Sequence, residues 1–419
     1  MLSAECRVFS RNSLTAIHRI VSMKMLRTAA GLLAAVLAAS PATGQPDLRG
    51  FAVRAENPLP VQRADEVLSL PWTQLRGALP ALAADRVRVV DAASGAELPV
   101  QTVDDDGDGM PEELLVLASF WPREAKQLIV QARAPAAAPA PRVHVRHDAH
   151  RDDVAWESDR IAFRIYGQGL WQASEFQPLV SSGVDIWPKR VRDLIVDRWY
   201  AKGHHAYHQD TGEGADFYTV GPTLGAGGVG VLRGDSVVSA RNFRRHRIVA
   251  AGPIRGIFEL TYDPWDAGGV QVQEVRRITI DAGQNLYRME TTFRTPDGRD
   301  LPFVTGTVKR EGLVGANRRG AQWGWLSTWG PVERKNGGHG SLGTAVLLPA
   351  AQFQDVAEVR NHFLAASVAR SGVPAVQYAG AGWTASGDFA GVEDWWRHLD
   401  TMAERLANPI RVTMGGAER

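Results

Sequence analysis

The chain has 419 residues, 44% of them hydrophobic, with 47 Lys and Arg against 46 Asp and Glu. That near-neutral balance, without a basic tract, speaks against a nucleic-acid partner, and the length allows one large domain or a large one with a small companion. The single cysteine, Cys6, precedes the segment expected to fold, so the folded part must hold together without disulfides.

The first 44 residues read as an export signal. Lys24 and Arg27 precede an unbroken run of Ala, Gly, Leu and Val from Ala29 to Ala39, and Ala42 and Gly44 place small residues before a cut at Gln45. This is the three-part secretory pattern, and the run is short for a membrane span; the alternative is an uncleaved anchor. Translation is expected to start at Met23 or Met25, and the mature chain to be periplasmic or secreted. Residues 1–44 hold five Lys or Arg and one Asp or Glu, leaving 42 basic against 45 acidic side chains. No second apolar run has membrane length, so no span is expected in the mature form.

From residue 46 onward, period-two alternation predicts an all-β-dominated chain. Val87 to Val90, Leu128 to Val130, Val143 to Val145 and Ile161 to Tyr166 are short strand candidates. Ile257 to Tyr262, Val270 to Val275, Ile278 to Ile280 and Leu286 to Phe293 read as a meander. Short strands between Gly, Pro and Asp clusters favour stacked antiparallel sheets. The Ala/Pro stretch 132–142 reads as a semi-rigid linker between a small N-terminal β-domain (46–131) and a main body (143–415). One late helix is predicted, capped by Ser386 or Asp388. Its apolar stripe is Val392, Trp395, Trp396, Leu399, Met402 and Leu406, and Pro409 stops it.

Within the N-terminal part, Asp104 to Glu113 carries six acidic side chains in ten residues. Asp104, Asp106 and Asp108 alternate, with Gly109 at the sixth position, like the opening of a calcium loop. Leu115 stands where the bidentate Glu belongs, so Glu112 or Glu113 would have to serve. The expectation is a structural Ca²⁺ on Asp104, Asp106, Asp108 and Glu113; the alternative is a solvated acidic hairpin. No organic cofactor is implied, since the glycines at 225–228 lack the Lys-Ser/Thr of a phosphate loop.

The segment Trp199 to Gly221 gathers His204, His205, Tyr207, His208, Asp210, Glu213 and Asp216. Such groups are costly to bury unless paired, so their assembly points to a polar cleft. The histidine spacing matches no zinc motif. Acid–base chemistry is the favoured account, with His205, Tyr207, His208, Asp210 and Glu213 as catalytic candidates. Thirteen Trp against seven Tyr favours rings that stack on sugars; Trp187, Trp325 and Trp383 are candidates, with core packing as the alternative. Lys189 or Arg310 would face the carboxylate of an acidic sugar, and Asp216 would complete the substrate contacts.

Four strings together resemble the family called domain of unknown function 4861. They are Asp152 to Gly167 (Asp-Asp-Val-Ala-Trp-Glu-Ser-Asp-Arg-Ile-Ala-Phe-Arg-Ile-Tyr-Gly), Gly183 to Arg190, Tyr207 to Tyr218, and Gly252 to Arg255. Ser158 departs from the family's Asn. The resemblance implies a bacterial protein associated with uronide and pectin degradation, with a large two-sheet sandwich like that of galactose mutarotases. Function inferred from such a fold is analogy. The leading expectation is a β-eliminating lyase acting on uronic-acid-containing oligosaccharides. There Tyr207 or His208 serves as base or acid, Asp210 and Glu213 orient them, and Lys189 or Arg310 neutralises the uronate. A sugar mutarotase or epimerase and a non-catalytic carbohydrate-binding protein are the alternatives.

Overall fold

Strand after strand buries alternate side chains, as in Gln271–Asp281, where Val272, Glu274, Arg276, Ile278 and Ile280 turn inward. The computed structural model describes residues 49–171, 178–332 and 338–415; the expected export signal lies outside them. The sequence predicted two strands where this single one runs. Glu274 and Arg276 break the apolar alternation, yet they form a fully buried ion pair at 2.6 Å and keep the same inward face.

That strand lies in a nine-stranded sheet. Its spatial order is Arg245–Ala251, Arg255–Thr261, Gln271–Asp281, Leu286–Arg294, Ala375–Trp383, Ser341–Pro349, Trp323–Pro331 and Val314–Arg319, with Trp265–Asp266 paired to the third. The facing layer consists of two sheets. One has four strands, Asp185–Pro188, Ile161–Tyr166, Asp153–Ser158 and Val143–Asp148; the other has five, Ser236–Val238, Ala226–Arg233, Leu301–Val308, His362–Ala369 and Asp355–Val359. A bridge between Val184 and Gly225 joins them. Ladder neighbours run antiparallel, so the expected two-layer sandwich is present. Trp156, Phe163, Phe258, Tyr287, Phe303 and Leu326 fill the space between the layers. Trp156 meets Tyr287 edge-on at 5.4 Å and stacks on Phe163 at 5.5 Å.

Residues 51–131 build two smaller sheets over a core of their own that includes Leu68, Trp72, Leu75, Leu114 and Leu128. One sheet is completed from the far end of the chain, since Arg411–Met414 pairs with Phe51–Glu56. Three α-helices are present among the described residues. Trp72–Ala78 and Val196–Lys202 have seven residues each, and Val392–Ala407 has sixteen. The long one is the predicted late helix, with Trp395, Leu399 and Met402 buried. Its start differs from expectation. Gly391 is the N-cap and makes no side-chain cap bond, because Asp388 is held by Arg160 and Arg192 and Ser386 bonds Trp383 O and Asp388 N. No helix among the described residues is long and apolar enough to cross a membrane.

Candidate active site

The four-stranded sheet ends at a cleft of about 1080 Å³, closed on its other side by His204, Tyr207, His208 and the stretch 216–223, and by Val308, Lys309, Arg310 and Asn361. Tyr207, which lines it, belongs to a buried aromatic cluster. Trp187, fully buried, lies against Trp199 at 5.5 Å, Tyr200 at 5.2 Å and Tyr207 at 5.0 Å. The short helix Val196–Lys202 supplies two of those rings, and Glu157 fixes its start by accepting the N–H groups of Ile195 and Val196. The returning chain must then pass close to the sheet. Gly214 sits at φ +101°, where an added Cβ would lie 2.1 Å from the Pro188 carbonyl oxygen, so only glycine fits.

Arg164, in the middle of an otherwise apolar strand, is the hub. It donates to the Tyr207 hydroxyl at 3.0 Å and to the Tyr166 hydroxyl at 3.2 Å, and it lies 3.1 Å from Asp185, 3.4 Å from Asp216 and 3.9 Å from Asp153. Tyr166 donates to Asp185 at 2.6 Å and Tyr200 to Asp153 at 2.8 Å. The Tyr207 hydroxyl is also 2.7 Å from His204 Nδ1. His208 Nδ1 is 2.7 Å from the His204 carbonyl, which can only accept, so Nδ1 carries the proton and Nε2 keeps its lone pair. That Nε2 is 3.4 Å from Asp216 Oδ2.

Burial sets the protonation states. It lowers the His208 imidazole and takes His204 down to about 4, so both are neutral at pH 7. It raises the Tyr207 hydroxyl, which stays protonated. Burial also raises Asp153 to about 6, lifts Asp185, and pushes Asp216 well above the usual carboxylate range, Asp185's charge adding to the last. The resting site therefore offers a neutral imidazole able to take a proton and a phenol able to give one.

Of the residues expected from the sequence, Tyr207, His208, Asp216 and Arg310 line this cleft. Arg310 lies over the Tyr218 ring at 5.6 Å and donates to the Pro331 carbonyl. The others lie elsewhere. His205 is exposed, edge-on to His204. Asp210 pairs with Arg190 at 2.6 Å and accepts the N–H groups of Gly212 and Gly214. Glu213 holds Arg198 and Lys202, each at 2.7 Å, and the Trp199 indole N–H. Both carboxylates pin the loop rather than face the cleft, because each has cations closer at hand. Lys189 is fully buried on Glu157 at 2.8 Å, which leaves no charge for a substrate. Trp187 is core, fully buried in the aromatic cluster. Trp325 is buried beneath the long helix and donates to Asp400, and Trp383 is buried with its N–H on the His339 carbonyl and Arg190 over its ring. In the acidic loop, Asp104, Asp106, Asp108 and Glu112 bring ligand oxygens within 4.8 Å of one another. Glu113 instead opens a strand and lies 4.0 Å from Arg255.

Arg164, Tyr166, Asp185 and Asp153 were not among the expected site residues. Their signal was present as charge inside apolar strands, Arg164 in Ile161–Tyr166 and Asp185 heading Asp185–Pro188, where an ion without a local partner requires one from elsewhere in the fold.

Comparison with known proteins places this geometry in context. The profile of the family described as Domain of unknown function (DUF4861) matches residues 55–412. Uncharacterized protein P7 of Formosa agariphila is 30% identical over 345 residues, which is 78% of this chain and 84% of that protein. Among solved structures, a protein in glycosyl hydrolase family 38 from Enterococcus faecalis superposes with a TM-score of 0.50 at 10% identity, over 88% of this chain and 48% of that one. An alpha-mannosidase from Enterococcus faecalis gives 0.48 at 9% identity, over 88% and 46%. The chain spans about half the length of these solved structures, and at such identities the likeness concerns the fold.

Proposed function

The chain belongs to the DUF4861 family, and we propose from that premise that it is an exported carbohydrate-active enzyme that cleaves uronic-acid-containing oligosaccharides by β-elimination. The observation that carries this reading is the Tyr207 hydroxyl, held between Arg164 and His204 next to a neutral His208. In the reaction, His208 Nε2 takes the C5 proton and the C4–O4 bond breaks as the C4=C5 double bond forms. Tyr207 gives its proton to the departing O4. Arg310 answers the uronate carboxylate, whose charge spreads onto the enolate in the transition state. The sandwich shared with a glycosyl hydrolase family 38 protein is compatible with a sugar ligand, as analogy only.

The cleft also bears on stereochemistry. The Tyr207 and His208 rings stack at 4.7 Å, 25° from parallel, so acid and base approach from one side. One-sided elimination suits a 4-linked uronate whose H5 and O4 share a ring face, as in the gluco and manno configurations; in galacturonate they lie on opposite faces. The test incubates purified protein with glucuronate-, mannuronate- and galacturonate-containing oligosaccharides, following ultraviolet absorbance of the unsaturated product and anomeric NMR signals. Expected is new absorbance with the first two classes and none with the third. Anomeric exchange without cleavage would mean a mutarotase instead, and binding without turnover a carbohydrate-binding protein.

A further inference from the structure

The buried charge around Arg164 does not balance. Asp153, Asp185 and Asp216 are all almost fully buried, and each has an oxygen within 3.9 Å of the same guanidinium. Arg164 is the cation that touches all three carboxylates. Arg151 lies over the Tyr200 and Tyr207 rings, is engaged by Asp148 at 3.6 Å and adds its charge in support of the Asp153 anion. Asp153 Oδ2 and Arg164 Nε, both buried, have no hydrogen-bond partner among the described residues. Closely placed buried carboxylates cannot all ionise and respond by keeping protons in common.

We infer that Asp153, Asp185 and Asp216 hold one proton among them at neutral pH, lodged on Asp216, and that this stored proton keeps the adjacent His208 neutral. Support for an anion differs at the three positions. Asp185 accepts from the Tyr166 hydroxyl and the Ile186 N–H and lies nearest the guanidinium. Asp153 accepts from the Tyr200 hydroxyl. Asp216 accepts a 3.4 Å contact from Arg164 with the Trp187 indole N–H beside it, and burial drives it furthest from ionisation. A neutral Asp216 beside His208 Nε2 offers no counter-charge that would draw a proton onto the imidazole. Of the other groups facing His208, the His204 carbonyl and Asp185 favour its charged form, while Arg164 and His205 oppose it. The proton inventory is a property of the resting protein; only its use, leaving His208 able to accept a proton, rests on the elimination reading.

The test needs no substrate. In ¹³C-aspartate-labelled protein, infrared spectra at pH 7 are expected to show the carbonyl stretch of a protonated carboxyl, lost in Asp216→Asn. In ¹³C-histidine-labelled protein, the His208 signal is identified by its absence in His208→Gln and titrated by NMR. Asp185→Asn relieves the crowding and lets Asp216 ionise, so the His208 midpoint is expected to rise by about one pH unit. Were all three already ionised, removing a carboxylate could only lower it. A fall in that midpoint, or no protonated aspartate in the wild type between pH 6 and 8, overturns the inference; the wild-type spectrum decides even if the variants fail to fold. Turnover enters neither readout, so failure of the lyase reading would leave both intact.

Discussion

Lys189 and Glu157 show how a side chain chosen for substrate binding can instead belong to the frame. Lys189 donates to Glu157 and to the Ser158 carbonyl, while Glu157 also holds the first N–H groups of the helix under the site. Breaking a buried pair strands the remaining charge and typically costs about 3 to 5 kcal/mol. Lys189→Met is therefore expected to lower unfolding free energy by about 3 kcal/mol in urea titration, and Glu157→Gln added to it to restore part of the loss. Tyr207→Phe and His208→Ala behave oppositely. Each is expected to reduce turnover about a hundredfold, the usual scale for losing a general acid or base, with little change in melting temperature. A large loss of stability at unchanged turnover would make Tyr207 and His208 a buried polar network.

At the scale of elements, the sequence made the strands, the sandwich and the late helix legible, because alternate burial and the stripe ending at Leu406 are written in one dimension. The site was legible only where its residues are neighbours along the chain. Tyr207, His208 and Asp216 share a segment, whereas Arg164 reaches Asp216 across 52 positions, and no local spacing encodes that contact. Polar density also misled, since Asp210 and Glu213 belong to the same rich segment yet are consumed by Arg190, Arg198 and Lys202. The acidic hairpin is an element-scale question as well. Its Asp105 reaches across to Arg277 on the nine-stranded sheet at 2.9 Å, so ordering the loop would tighten that contact. With Ca²⁺ on Asp104, Asp106, Asp108 and Glu112, millimolar calcium against excess chelator is expected to raise the melting temperature. Saturation a hundredfold above Kd stabilises by about 2.7 kcal/mol. An unchanged melting temperature would leave a solvated hairpin.

For the whole molecule, buried histidines set the response to acid. Burial lowers His398 and His362 to about 4 from an ordinary 6.5. A group whose folded pKa is depressed contributes stability that is present above its unfolded pKa and lost as pH falls toward the folded one. Stability should thus hold above pH 6.5 and fall between there and about 4, by roughly 3 kcal/mol for His398. Asp153, raised to about 6, acts in the opposite sense, its contribution being lost as pH rises through that value. Melting temperatures from pH 4 to 7 are expected to climb, less steeply in His398→Asn; a flat profile would show that these imidazoles protonate without unfolding cost.

The pairing of Arg411–Met414 with Phe51–Glu56 also sets an order of events in synthesis. Phe51–Glu56, the first strand among the described residues, waits for the last of them, Arg411–Met414, before its sheet is complete, and Arg63 likewise waits for the Asn408 carbonyl. Until then the outer ladder of Phe51–Glu56 is an open edge, the kind of surface that recruits strands from other chains. A nascent chain therefore has a built-in delay before it locks. A chain stopped after Pro409 is expected to carry that open edge permanently and to self-associate in light scattering at concentrations where the full chain stays monodisperse.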